Sequence, residues 1–224
     1  MASPRGTAQK RTLDYSDTIK FSVGRLADGA ERTYYVPKSA ILGRSRFVSD
    51  AFASLELVGS ICVNDLPNVS NKVFNSYVHL LLTKKVVVNF ESAESESADS
   101  LMALIDLYTL AADVTDCHSM NKVMDKLVDR VKETWPDAQA IKKIYGVDPD
   151  VGGTLRRLFV DSFMVDGSDM DFLEDLASDH YASQLWEFFR DLSIALIQER
   201  NSTKRKQYVA ADYYVELENS TANA

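Results

Sequence analysis

Two neighbouring segments set the architecture of this 224-residue chain: Asp17-Thr18-Ile19-Lys20-Phe21-Ser22-Val23-Gly24 and Tyr34-Tyr35-Val36-Pro37-Lys38-Ser39-Ala40-Ile41-Leu42. In the first segment every second residue from Ile19 to Val23 is apolar, which predicts a half-buried strand over residues 18–23. Asp28-Gly29 predicts a turn, and residues 33–36 predict the return strand. Pro37 suits the first position of a short helix, because a missing amide hydrogen removes no helical bond there. The order is therefore strand, turn, strand, short helix.

The following segments add one more strand and then helices. Ser45 and Ser70 predict the caps of a second and a third helix, since a serine oxygen accepts a backbone N–H in the first turn. We predict a third strand over 59–64, a short edge strand over 85–88, and helices at 101–114, 120–131, 137–145, 153–164 and 179–199. The tail from residue 201 is expected to fray except for docking by Tyr208, Tyr213, Tyr214 and Val215. Apolar stripes predict a core that includes Phe21, Phe47, Phe52, Phe74, Tyr77 and Leu81.

Composition and charge exclude several classes of function. The chain is 46% hydrophobic and 26% charged, which is typical of a folded globular protein. Residues 161–191 carry nine acidic residues and one basic residue, and this acidic window repels a phosphate backbone, so we expect no nucleic acid as ligand. The simplest interpretation of the window is a solvated helix surface, and the alternative is a docking site for a basic partner.

The sequence also bears on cellular location. No stretch has the apolar length of a signal peptide or a membrane span, so we expect no membrane partner. The two cysteines, Cys62 and Cys117, do not make a disulfide framework. We therefore expect a cytoplasmic or nuclear protein with reduced thiols.

No group of residues has the pattern of a catalytic centre. The adjacent pair Cys117-His118 is poorly placed to share a tetrahedral zinc ion, and Gly43-Arg44-Ser45 lacks the last glycine of a nucleophile elbow. Gly152-Gly153-Thr154 precedes a predicted helix with Arg156 and Arg157, which is a weak anion-binding pattern. We expect no catalytic residue, no cofactor and no metal. A metal-dependent enzyme that uses the acidic 161–191 window is the alternative.

The order of these motifs resembles the BTB/POZ domain, a protein-interaction fold. The resemblance is carried by Asp17-Thr18-Ile19, Tyr35–Leu42, Ser45-Arg46-Phe47, Leu66-Pro67, Val73-Phe74, Tyr77–Val86 and Leu107–Asp113. The second half is similar to the helical extension of many fungal BTB proteins, through Met120–Asp125, Ile144-Tyr145-Gly146 and Leu155–Leu158. The resemblance implies an α+β fold with a small mixed sheet flanked by helices and followed by an all-helical extension. It implies a BTB/POZ-like domain (15–115) and a helical extension (116–200), while the lack of periodicity predicts a disordered arm (1–14) and the polar composition a polar tail (201–224).

The resemblance implies a non-enzymatic module that binds a protein partner, with a second copy of the chain among the candidates. Asp17 and Lys38 resemble a charged pair in the groove of the family and are expected within hydrogen-bonding reach. The arm before Asp17 is too short for the strand-swapped dimer of zinc-finger-type members. An alternative function is a substrate adaptor of a cullin-type ubiquitin ligase, for which Glu56 is the candidate, although Ser54 stands where such adaptors carry an apolar residue. Asp17, Lys38 and Glu56 are the predicted partner-binding residues.

Overall fold

The computed structural model of this chain combines a small sheet with helices. It describes residues 17–24, 31–56, 63–88, 98–134, 136–147, 149–166, 185–200 and 209–216. The elements in chain order are β1 (Thr18–Val23), β2 (Arg32–Pro37), α1 (Lys38–Ile41), α2 (Arg46–Glu56), β3 (Val63–Leu66), α3 (Asn71–Thr83), α4 (Ala98–Asp113), α5 (Cys117–Glu133), α6 (Ala138–Tyr145), α7 (Pro149–Asp166), α8 (Trp186–Arg200) and a 3-10 turn (Ala210–Tyr213). The predicted α+β class is confirmed.

The sheet is mixed, and β1 is its central strand in the order β2-β1-β3. β2 runs antiparallel to β1 with Ile19 opposite Val36, whereas β3 runs parallel to it. The alternating side chains of β1, including Ile19 and Phe21, are buried, as their period of two predicts. Both strands of the predicted hairpin are confirmed. The third strand spans Val63–Leu66, and its predicted start at residues 59–62 lies outside the described residues.

Serine caps fix two helices of the first half. Ser45 Oγ accepts the N–H of Val48 at 3.1 Å, and Ser70 Oγ accepts the N–H of Val73 at 3.3 Å, as predicted. Pro37 is the last residue of β2 and precedes α1 with an extended backbone, φ −55° and ψ 132°. It therefore stands one position before the helix rather than at the first helical position.

The predicted edge strand over residues 85–88 is wrong, because this segment belongs to no strand of the described sheet. It follows Lys84, whose left-handed backbone ends α3. The Lys85 N–H donates to Thr83 Oγ1 at 3.2 Å, and the Lys85 carbonyl lies 3.4 Å from His79 Nδ1. The backbone at the start of the segment therefore bonds to α3 instead of a neighbouring strand.

The second half is helical, and two of its helices begin at aspartate caps. Asp116 accepts the N–H of Ser119 at 3.0 Å, so α5 begins at Cys117 instead of Met120, and Asp137 caps α6 in the same way. The predicted last helix is described from Trp186, since 179–184 lie outside the described residues. None of the described helices has the length and apolarity needed to cross a membrane.

The buried side chains form one continuous core with contributions from both halves of the chain. Its largest fully buried members are Phe21, Phe74, Tyr77, Tyr108, Phe159, Phe188 and Tyr213. The predicted docking of the tail is confirmed for Tyr213, and Tyr208 lies outside the described residues.

Two residues of α2 that were predicted to lie in the core differ from the prediction. Phe52 is only half-buried. The prediction for Phe47 is wrong, since its side chain is 46% exposed. Phe47 directly precedes Val48, which is fully buried, so Val48 and not Phe47 fills the core at the start of α2.

Candidate protein-interaction surface

Asp17 and Lys38 meet through their backbones. The Lys38 N–H donates to the Asp17 carbonyl at 3.0 Å, which extends the β1–β2 ladder by one bond. The Lys38 ammonium lies 4.8 Å from the centre of the Phe52 ring, a cation–π distance, so this side chain faces α2. Glu56 is the last residue of α2, and its side chain lies outside the described residues. The partner-binding roles of these three residues stay predictions.

Helix α2 carries an exposed aromatic side chain close to its start. Phe47 is 46% exposed, and its neighbour Arg46 pairs with Asp50 at 3.7 Å on the solvent side. The half-buried Ala51 and Phe52 of the same helix pack against the core. Phe47 is therefore a partly exposed aromatic residue on a helix that packs on the core through other side chains, and sequence reasoning missed it because its apolar character matched the core pattern.

The start of α2 is fastened to the turn between α4 and α5. Ser45 is buried, and its hydroxyl donates to the carbonyl of Val114. The Arg46 N–H donates to the carbonyl of Thr115 at 3.4 Å. One serine thus caps α2 and joins it to the helical half of the chain.

A buried carboxylate lies beside this junction. Asp116 is fully buried and accepts hydrogen bonds from the Tyr77 hydroxyl at 3.1 Å and the Ser119 hydroxyl at 2.6 Å. Arg44 Nη2 lies 3.6 Å from the carboxylate and donates to Ser119 Oγ at 3.0 Å. We call Arg44, Tyr77, Asp116 and Ser119 the polar anchor; it ties the α1–α2 turn, α3 and α5 together.

The polar anchor contains residue types that also serve catalysis, but its geometry is structural. Burial, with the Asp116 carboxylate beside it, raises the pKa of Tyr77 well above its ordinary value, so the phenol stays neutral and donates. The buried Asp116 carboxylate accepts one N-cap bond and two hydroxyl bonds, and a guanidinium lies 3.6 Å from it, so its partners come from three elements of the fold. The sequence signal for Asp116 was its position before Cys117, which is the place of an N-cap.

The described members of the acidic window are engaged in contacts between helices. Asp161 accepts the Tyr213 hydroxyl at 2.9 Å, Glu187 accepts Arg156 Nη1 at 3.1 Å, and Asp191 accepts the Tyr145 hydroxyl at 3.1 Å. The side chains from 166 to 179 lie outside the described residues. Among the side chains that the structure describes, no group of three or more His, Cys, Asp or Glu is placed to hold a metal ion.

The anion-binding interpretation of the segment from Gly152 to Arg157 is wrong. α7 begins at Pro149, so both glycines lie inside the helix and not before its first turn. The Arg156 guanidinium donates to the carbonyls of Tyr145 and Val147, each at 3.0 Å, besides its bond to Glu187. Its donors thus hold α6, α7 and α8 together.

A cavity of about 670 Å³ lies between the segment 85–88, α4 and α5. Val86, Val88 and Leu104 supply its apolar wall. Its charged rim pairs within itself, Lys126 with Asp129 at 3.9 Å and Arg130 with Glu133 at 3.0 Å. With Lys132 the rim carries three cations and two carboxylates, so its charges are of mixed sign.

The sequence matches no model of a known protein family, and the curated proteins contain no match to it either.

Proposed function

We propose that this chain is a non-enzymatic protein–protein interaction module of the BTB/POZ-like type, which binds a protein partner through the surface of α2. The observation that carries the proposal is Phe47, a 46% exposed aromatic residue on a helix that packs on the core through Ala51 and Phe52. Rigid aromatic side chains supply much of the energy of protein interfaces, because they bury a large area and lose little conformational freedom. Lys38 adjoins the same helix, since its ammonium lies 4.8 Å from the centre of the Phe52 ring.

The way the chain uses its ionisable groups supports a role without catalysis. Burial raises the pKa values of Tyr77, Tyr145 and Tyr213 above the ordinary value, and each of these phenols donates to a carboxylate. These pairs join separate elements and do not converge on a common pocket. Such an arrangement serves to position helices, which is what a binding scaffold requires.

The test is Phe47→Glu, compared with Leu82→Glu as the matched control. Leu82 is 55% exposed on α3, so both changes add a charge to an exposed apolar position. Loss of a central aromatic contact costs on the order of 2 kcal/mol, or about a 30-fold loss of affinity. We expect a partner that co-purifies in stoichiometric amount with the wild-type chain and with Leu82→Glu, but not with Phe47→Glu.

Light scattering of the same three purified chains identifies the class of partner. A wild-type dimer that Phe47→Glu converts to a monomer would make the partner a second copy, whereas a monomeric chain with a bound cullin would place it among the ligase adaptors. An equal set of bound proteins for all three chains would contradict the proposed surface.

A further inference from the structure

The segment Val209–Glu216, which we call the strap, lies against α5 and α7. Its anchor is Tyr213, which is 2% exposed, whereas Tyr214 and Val209 remain 43% and 55% exposed. One fully buried side chain thus seats a short segment, while Ala210 and Val215 pack on the core only in part. The anchor lies at the end of the 3-10 turn, and the backbone becomes extended at Tyr214.

Asn121 on α5 binds the backbone of the strap. Its Nδ2 donates to the Val215 carbonyl at 3.1 Å, and its Oδ1 accepts the Val215 N–H at 2.8 Å. Both contacts go to the main chain, so any residue with a free N–H could occupy that position of a bound peptide. The groove therefore has one contact that recognises extended backbone independently of sequence.

Tyr213 supplies the sequence-specific contact. Its hydroxyl donates to Asp161 at 2.9 Å, and the Arg157 guanidinium lies 5.4 Å from the ring centre. Asp161 is itself buried, and a phenylalanine in place of the tyrosine would remove a donor from this carboxylate. The pocket is thus complementary to tyrosine in particular.

The polar residues of the groove are spaced so that all of them face the strap. Asn121 and Asp125 are one turn apart on α5, and Asp125 accepts the Tyr214 hydroxyl. Arg157 and Asp161 are one turn apart on α7 and pair at 3.7 Å. Residues four apart share one face of a helix, so two facing helices each present a polar pair to the same short segment.

We propose that this groove is a peptide-binding site, which the strap occupies in cis and which takes a Tyr-Tyr-Val peptide of a partner protein when the strap leaves. The site lies on the helical half and is independent of Phe47. The strap acts as an intramolecular competitor with an effective concentration of about 1 mM, as expected for a short tether. A partner peptide therefore binds only where it outcompetes the strap or where the strap has been released.

The experiment uses the full chain and a fluorescent peptide with the sequence of residues 209–216, Val-Ala-Ala-Asp-Tyr-Tyr-Val-Glu. The variant Tyr213→Ser removes the anchor of the strap and leaves the groove residues in place. We expect saturable binding of the peptide to this variant by fluorescence anisotropy, at least about tenfold tighter than to the wild-type chain. Adding Asn121→Ala to the variant should weaken binding about tenfold, and a peptide with serine for the anchor tyrosine should not bind.

A folded Tyr213→Ser chain that does not bind the peptide at up to about 1 mM would overturn the proposal, because the groove would then lack affinity at the concentration that the tether supplies. Hydrogen–deuterium exchange of the wild-type chain provides a test that needs no folded variant. The Val215 amide should exchange by local opening, much faster than the amides of buried Leu127 in α5. Equal protection of the two would also overturn the proposal. If the wild-type chain is a dimer and the free peptide dissociates it, the occupant of the groove is the strap of a second copy of the chain.

Discussion

Asp116 lies at the start of α5 with its carboxylate closed off from solvent, where it caps the helix and faces Arg44 and Tyr77. Removing one partner from a buried ion pair is far more costly than removing an exposed pair, because the remaining charge keeps its desolvation penalty. The arginine is already the less satisfied partner, since its Nη1 is buried without a hydrogen bond. Asp116 therefore stabilises the α1–α2 turn together with the hydrogen bonds of Ser45 and Arg46.

Asp116→Ala should lower the free energy of unfolding by about 3 kcal/mol, since it removes the N-cap of α5 and leaves the largely buried Arg44 guanidinium without its counter-ion. Urea denaturation measures this loss, with Asp50→Ala as the control. Asp50 pairs with Arg46 in solvent, and an exposed pair contributes at most about 1 kcal/mol. Equal losses for the two variants would show that the polar anchor contributes no more than a surface ion pair.

At the scale of the element, the two adjacent glycines of α7 have different surroundings. A side chain at Gly152 would meet the Ile144 carbonyl and the Val147 side chain at 3.4 Å, whereas one at Gly153 would meet nothing within 4 Å. Gly152 therefore permits α7 to pack closely on the end of α6. Gly153 has no packing role and weakens the helix, because glycine is a poor helix former.

Gly152→Leu should destabilise the fold by about 1–3 kcal/mol through overpacking, whereas Gly153→Leu should not. Gly153→Ala should stabilise it by up to about 1 kcal/mol, since alanine loses less backbone entropy in a helix. Thermal unfolding followed by circular dichroism measures all three variants. A loss of stability for Gly153→Leu equal to that for Gly152→Leu would contradict the close packing of α7 on α6.

The elements that the sequence predicted well are those whose signals are local. The alternation in β1 and the caps at Ser45 and Ser70 depend on neighbouring residues, and the structure confirms them. Phe47 was assigned to the core because apolar character alone does not tell a buried aromatic from an exposed one. The prediction of a strand over 85–88 was wrong, because a strand needs a neighbouring strand to bond with and the local sequence does not show whether there is one.

The candidate site depended more on distant contacts and was predicted less well. Arg44 and Asp116 are far apart in the chain, so no spacing rule could pair them before the fold was known. The docking of Tyr213 was predicted from its aromatic character, but its partner Asp161 was treated as one acid of a solvated window. Tertiary structure decided which of these charges are buried.

At the scale of the whole molecule, buried tyrosines make stability depend on alkaline pH. Burial raises the pKa of Tyr108 to about 12. The pKa values of Tyr77 and Tyr145 are also raised, mainly by burial and to a smaller extent by a neighbouring carboxylate. In the unfolded chain a tyrosine ionises at about pH 10. Below about pH 10 these tyrosines keep their protons in both the folded and the unfolded chain. Above about pH 10 the unfolded chain releases them while the folded chain keeps them, so ionisation favours unfolding.

We therefore expect the tyrosine contribution to the free energy of unfolding to be constant up to about pH 10 and to fall between about pH 10 and 12. Each buried tyrosine contributes a slope of up to about 1.4 kcal/mol per pH unit. Denaturation at a series of pH values, with the ultraviolet absorbance of tyrosinate, measures both quantities. Buried tyrosines that ionise near pH 10 without loss of structure would contradict this expectation.

The junction of Ser45 and Arg46 with the α4–α5 turn would link the proposed partner binding at α2 to the integrity of the helical half. A partner that binds α2 only while this junction is closed favours the closed state, and coupling between two sites is reciprocal. The free energy by which an ordered α4–α5 turn strengthens binding of the proposed partner equals the free energy by which the bound partner stabilises that turn. Substitutions in the helical half, remote from Phe47, would then change affinity for the partner without touching it.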